Sequence, residues 1–174
     1  MSGTIELRPE NYGDFAAIRE MVRIAFQTSE HAEGDEHDFV DRQRASGGYI
    51  PELALIAESG GEIVGHIMLV RLAPVSGNIT ASLLLLAELA VALPHRSAGL
   101  GSRLIAEASE RAIRLGFDAQ VLVGDPAFYA RFGFEQAARF GLRTVNDIEA
   151  EYVLARTLRP GALAGQSGTL ALPQ

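Results

Sequence analysis

The 174-residue chain contains no cysteine, which excludes disulfides, a thiolate nucleophile, cysteine-ligated zinc and redox chemistry of the chain's own. It also lacks an excess of basic residues: 15 Lys and Arg stand against 22 Asp and Glu, for a formal net charge of −7. A general nucleic-acid binder grips the phosphate backbone with clustered cations, so no nucleic-acid partner is expected and any phosphate site has to be local. No apolar run approaches the ~18 residues of a membrane-spanning helix. The N-terminal MSGTIELRPE has no basic segment followed by an apolar one, so no signal peptide and no membrane partner are expected, and a cytoplasmic location follows as an expectation. Internal repeats and linkers are missing too. With 48 % hydrophobic and 21 % charged residues, the composition is that of a globular chain long enough to bury one core.

What is present reads as alternating strands and helices. Ile5 to Arg8 is a short strand closed by Pro9, and Asp14 is a candidate cap for a helix in which Phe15, Ile18, Met21, Val22, Ala25 and Phe26 recur at three- and four-residue spacing. A polar, acidic stretch (QTSEHAEGDEHD) leads to a second short helix around Phe39 to Arg44. Leu53 to Glu58 and Glu62 to Leu72 are strands joined through Gly60 and Gly61, a hairpin signal. Pro74 to Asn78 predicts a second turn, returning the chain into a strand over about Ala81 to Ala92. Helical spacing then runs from Leu100 to Leu115, and Phe117 to Val123 is a buried strand parallel to the one before the helix. Asp125 and Pro126 start a short helix through Phe132, and a last strand lies near Glu151 to Leu158. The expected fold is therefore α/β, one domain over residues 1–158 with a mixed central sheet flanked by helices, followed by an extended Gly- and Pro-rich tail over 159–174.

The junction ALPHRSAGLGSRL carries the chemistry. An apolar strand feeds a Gly-rich loop that opens into a helix, a geometry that holds phosphate on unpaired N–H groups and the positive end of the helix dipole. The dinucleotide fingerprint needs a third glycine and meets Leu104, and a P-loop needs Gly-Lys-Ser/Thr and meets Gly101-Ser102-Arg103. A simple Gly-capped helix remains open on these residues alone.

Arg96-x-x-Gly99-x-Gly101 after a strand ending in LAV resembles the acyl-CoA signature of the GCN5-related N-acetyltransferase (GNAT) superfamily, and Tyr129-x-x-x-Gly133-Phe134 downstream resembles its second conserved segment. GDPAFYARFGF together with the ending LRPGAL is similar to a bacterial subgroup of predicted acetyltransferases. The resemblance covers about residues 5 to 158. It implies a GNAT-like acyl-CoA N-acyltransferase fold, acetyl-CoA as cosubstrate, no metal, an amine acceptor and homodimerisation. Residue by residue, it implies that Ser97, Ala98, Gly99, Leu100, Gly101 and Ser102 supply amides to the CoA pyrophosphate with Arg96 at the loop's edge. Leu89, Ala90 and Val91 would pair by backbone with the pantetheine arm. Many members carry an Asn before the Tyr helix, where this chain has only Gly-Asp-Pro.

Transfer of an acetyl group to an amine needs a base for the amine's proton and an acid for the departing thiolate. Glu88 is the candidate base, because a carboxylate among Leu, Ala and Val is costly unless it meets water, a cation or a substrate; pairing with an arginine or facing solvent explains it equally. Tyr129 matches the superfamily's acid, and a phenol stays protonated at neutral pH. Phe128, Phe132, His66 and His95 read as structural or surface residues. Glu30, Glu33, Asp35, Glu36 and Asp38 lie where the family builds its acceptor site, although an acidic run is commonly a solvated face. His31 and His37 match no helical metal-ligand spacing. A binding module that senses acyl-CoA without transferring the acyl group is the alternative from another class.

Overall fold

The computed structural model describes residues 3–30 and 32–174. Its backbone contacts group into two compact units, one comprising residues up to Val70 with 87–111, the other 71–86 with 112–174.

In the first unit, β1 (Ile5–Pro9) pairs antiparallel with β2 (Tyr49–Ser59), with Leu7 opposite Ala57. Helix α1 (Phe15–Phe26) follows β1 and buries Ile18, Met21, Val22 and Ala25, the periodic stripe expected. Asp14 does not cap it. The cap belongs one turn earlier to Asn11, whose side chain accepts from the Gly13 amide, while the Asp14 carboxylate accepts from the Asn11 amide and pairs with Arg8 at 2.8 Å. A cation within reach draws Asp14 away from its own helix. Helix α2 (Glu36–Arg44) leads into β2, which turns through Gly60 and Gly61, both at positive φ, into β3 (Glu62–Leu72).

Strand β4 (Pro74–Asn78) stands where a turn was expected. It pairs antiparallel with β10 (Ser167–Leu170), which lies in the segment read as the tail and also pairs in parallel with β8 (Leu142–Thr144). Glycine makes this pairing possible: a Cβ on Gly77 would stand 2.4 Å from the Gly168 Cα.

Strand β5 (Leu83–Val91) runs through both units. Its C-terminal half completes the order β1-β2-β3-β5 in the first unit and leads into α3 (Leu100–Arg114). In the second unit its N-terminal half pairs in parallel with β6 (Ala119–Val123), which pairs antiparallel with β9 (Val153–Thr157); β7 (Glu135–Gln136) flanks β9. The parallel crossover through α3 and the antiparallel hairpins make the sheet mixed, as expected. The short helix α4 (Pro126–Tyr129) begins at Asp125, whose side chain accepts from the Ala127 amide, and its continuation ends at Gly133 with φ of 84°.

Candidate active site

Strand alternation sorts the site residues onto one face of the first unit. Gly65 on β3 faces α3: a Cβ there would come within 3.0 Å of Leu104 Cδ1 and 3.2 Å of Ala57 Cβ, so only glycine lets the helix settle on the strands. His66 therefore points to the opposite face, as does its cross-strand partner Ile56. On β5, Glu88 and Ala90 share a side, and Ala90 packs with Ile56 against Ile18, Met21, Val22 and Ala25 of α1. The α1 face of the sheet thus gathers Glu10, His66 and Glu88, all buried.

These three residues form a chain. His66 Nδ1 bonds to Glu88 Oε2, and His66 Nε2 lies 2.7 Å from Glu10 Oε2. Glu10 also accepts from Arg44 Nε at 2.8 Å and Nη2 at 2.9 Å and from the Tyr49 hydroxyl at 2.8 Å, while Arg44 lies 4.0 Å over the Phe15 ring. Burial opposes charge on Glu10, but hydrogen bonds from Arg44 and His66 outweigh it and bring its pKa down to about 2. Burial likewise opposes charge on His66, yet the Glu88 charge and the bonds to both carboxylates push the imidazole up to about 9. The Tyr49 hydroxyl is pushed up by burial and by its bond to Glu10. Glu88 Oε1 is buried and has no hydrogen-bond partner among the described residues.

Beyond Val91 the chain makes a short turn over Leu93–His95 and enters the loop. The Arg96 guanidinium faces inward, its Nε donating to the Val91 carbonyl at 3.1 Å, Nη1 to the Thr28 hydroxyl at 3.2 Å and Nη2 to the Ala25 carbonyl. Ala25 lies in the last turn of α1, where carbonyls lack helical partners and a cation is favoured. Arg96 therefore clamps the loop between the end of α1 and the end of β5. Ser97, at φ of 62°, is the only non-glycine in the left-handed region among the described residues, and Gly99 follows at 80°. A side chain held there is the sort of local strain that collects at functional loops. At the start of α3, the amides of Leu100, Gly101 and Ser102 precede the first helical bond, Arg103 N–H to the Gly99 carbonyl at 3.1 Å. A Cβ on Gly101 would meet nothing closer than Val91 Cγ2 at 3.9 Å, so its missing side chain opens the approach to these amides rather than serving packing. Arg103 donates to the Ile5 carbonyl at 3.2 Å. Both arginines thus direct donors to backbone carbonyls, and an anion at this loop would be held by backbone amides and the α3 dipole.

A strand that ends in such a loop, with a buried carboxylate just before it, matches one family. The Acetyltransferase (GNAT) domain model covers residues 51–136, the stretch holding β5, the loop, α3 and α4. The uncharacterized N-acetyltransferase YjhQ of Escherichia coli K12 is 33 % identical over 126 residues, 72 % of this chain and 66 % of that protein. The uncharacterized N-acetyltransferase YhbS of the same organism is 45 % identical over 58 residues, spanning 33 % of this chain and 35 % of that one. The alignments thus span under two thirds of these curated relatives. The E. coli YhbS structure, solved in complex with CoA, superposes with a TM-score of 0.83 at 26 % identity over 99 % of this chain and 92 % of that one. The chain belongs to the GNAT superfamily. A Brucella melitensis GNAT acetyltransferase solved with acetyl-CoA shares the fold, with a TM-score of 0.77 and 24 % identity over 98 % and 97 % of the two chains.

Of the residues singled out in the sequence, the first unit of this GNAT fold brings together Glu88, Leu89, Ala90, Val91 and the loop Arg96, Ser97, Ala98, Gly99, Leu100, Gly101 and Ser102. Tyr129 belongs to the second unit, half-buried among Phe128, Phe132 and Phe134. Its ring lies on Gly124, where a Cβ would stand 2.6 Å from Tyr129 Cε2. The Gly-Asp-Pro connection thus seats the tyrosine. The acidic segment neutralises much of its own charge: Asp35 pairs with Arg42 at 2.9 Å, Asp38 with Arg19 at 2.5 Å, and Glu36 accepts from the Glu33 and Gly34 amides. His31 lies outside the described residues. The residues missed in the sequence are Glu10, Arg44 and Tyr49, while His66 was read only as structure or surface. The available signal was a polar residue inside each of two apolar runs, His66 within 63–70 and Glu88 within 83–91, since each such group needs a partner.

Proposed function

We propose that the protein is an acetyl-CoA-dependent N-acetyltransferase that moves an acetyl group directly to a primary amine of a small molecule, peptide or protein. The observation that carries this reading is that one strand, β5, bears a buried carboxylate with an oxygen unmatched among the described residues and ends in a Gly-rich loop at the start of α3. The CoA-bound E. coli YhbS structure supports CoA as the ligand.

The amides of Ser97 to Ser102 receive the pyrophosphate, and the backbone of Leu89 to Val91 pairs with the pantetheine arm. Glu88 Oε1 takes a proton from the arriving ammonium group. The freed nitrogen lone pair attacks the thioester carbonyl carbon, the C–S bond breaks, Tyr129 protonates the departing thiolate, and the second proton that the nitrogen sheds to become an amide passes to solvent, from which the Tyr129 phenolate is reprotonated. The absence of cysteine supports direct transfer, since no thiol is available as an acetyl carrier. Holding donor and acceptor together supplies much of the acceleration.

Thiol release from acetyl-CoA in the presence of a panel of primary amines tests the reading. Amine-dependent release is expected; tight CoA binding with no turnover on any amine or peptide would favour the acyl-CoA-sensing alternative.

A further inference from the structure

Glu10 from just past β1, His66 from β3 and Glu88 from β5 meet on one buried face, and their hydrogen bonds fix a protonation state. An ionised carboxylate only accepts, so an imidazole with a carboxylate at each nitrogen donates at both and carries a positive charge. His66 is in that position, with Glu88 at Nδ1 and Glu10 at Nε2. The charged and titratable groups facing it are Glu88 from β5 and Glu10 after β1, with Arg44 of α2 and Tyr49 of β2 reaching it through Glu10. Arg44 is held in turn by Asp41 at 2.7 Å. The raised pKa of the imidazole agrees with this arrangement.

A purely structural cluster satisfies all its polar atoms, because an unmatched buried acceptor carries its full desolvation cost. This one does so at Glu10 and at His66, and leaves one oxygen, Glu88 Oε1, unmatched among the described residues. The spare acceptor is the one on β5, the strand that leads into the anion-binding loop.

We propose that His66 is a positioning residue for acetyl transfer: its imidazolium, anchored on Glu10, fixes the Glu88 carboxylate by Oε2 and leaves Oε1 open to the acceptor amine. The proposal rests on the reading of Glu88 as the base. His66 moves no proton itself. The amine's first proton goes to Glu88 Oε1, the nitrogen lone pair forms the bond to the acetyl carbon as the C–S bond breaks, the thiolate leaves with the Tyr129 proton, the nitrogen's second proton passes to solvent that restores Tyr129, and the Glu88 proton returns to water after product leaves.

Two measurements test this. Nitrogen-15 NMR of the histidine-labelled protein should show one of its four imidazoles protonated at both nitrogens at pH 8, that signal vanishing in His66→Gln and titrating at lower pH in Glu88→Gln. A neutral ring at His66 at pH 7 overturns the proposal, whether or not any variant folds. With acetyl-CoA and an amine that supports thiol release, His66→Gln should lower kcat at least 10-fold and move the acid limb of kcat/KM up by a pH unit or more at unchanged KM for acetyl-CoA. His66→Lys, which restores the cation, should move the limb part of the way back. A folded His66→Gln protein with the parent's pH profile overturns the positioning role. If Glu88→Gln keeps the parent's kcat/KM, the base assignment itself has failed, a result distinct from either of these.

Discussion

Glu88, the one ionisable residue of β5, and His66, set within the apolar run 63–70 of β3, are hydrogen-bonded to each other inside the protein. Neither could be buried at reasonable cost alone. Together with Glu10 and Arg44 they place charge in the core while leaving one carboxylate oxygen without a partner among the described residues.

Glu88→Gln removes the proposed base while keeping size and one acceptor. General-base catalysis contributes roughly 100- to 10,000-fold, so kcat/KM should fall by at least about 100-fold at neutral pH with KM for acetyl-CoA unchanged. Steady-state kinetics with an accepted amine checks this.

Stability should depend on pH through His66 and Glu10. His66 has its pKa raised from 6.5 to about 9, so its contribution is complete below 6.5 and lost as pH rises through 9. Glu10 has its pKa lowered from 4.5 to about 2, so its contribution is complete above 4.5 and lost as pH falls toward 2. Thermal melts should be flat between pH 4.5 and 6.5 and decline on both sides. The alkaline loss should be on the order of 3 kcal/mol, and it should be absent in a folded His66→Gln protein.

Gly124→Ala drives a methyl group to 2.6 Å from the Tyr129 ring. Overpacking of this kind costs about 1–3 kcal/mol, or else the ring moves. Differential scanning calorimetry should show a lower Tm, and kcat should fall with little change in KM for acetyl-CoA.

Gly99→Ala places a side chain at φ of 80°, in open space. The cost is conformational, about 1–2 kcal/mol, and relief would reorient the loop amides. KM for acetyl-CoA should rise several-fold with kcat nearly unchanged, as steady-state kinetics will show.

Much of the fold was legible because its signals are local. The periodic stripe of α1, the Gly60-Gly61 hairpin, the crossover through α3 and the Asp125-Pro126 helix start each depend on residues within a few turns of one another. Pro74–Asn78 was misread as a turn because its partner, Ser167–Leu170, lies some ninety residues downstream, and composition alone makes Pro, Ser, Gly and Asn look like a loop. Asp14 was misassigned as a cap because Arg8 competes for it from the preceding strand. In the site, Glu88 stood out as a charge in an apolar run, but the partner that settles its surroundings is a histidine on the neighbouring strand, not arginine or solvent. Glu10, just past Pro9, carries no local mark of burial; it becomes a core residue only when α2 brings Arg44 over it.

The central claim, direct acetyl transfer to an amine, is tested most directly by a single turnover with acetyl-CoA carrying carbon-13 in its acetyl group, followed by mass spectrometry of protein and small molecules. The account predicts that the label passes from CoA to the amine with no acetylated protein at any time, and that Glu88→Gln slows this passage. Label that accumulates on the protein before reaching the amine, or that never leaves CoA in the presence of any amine, would contradict it.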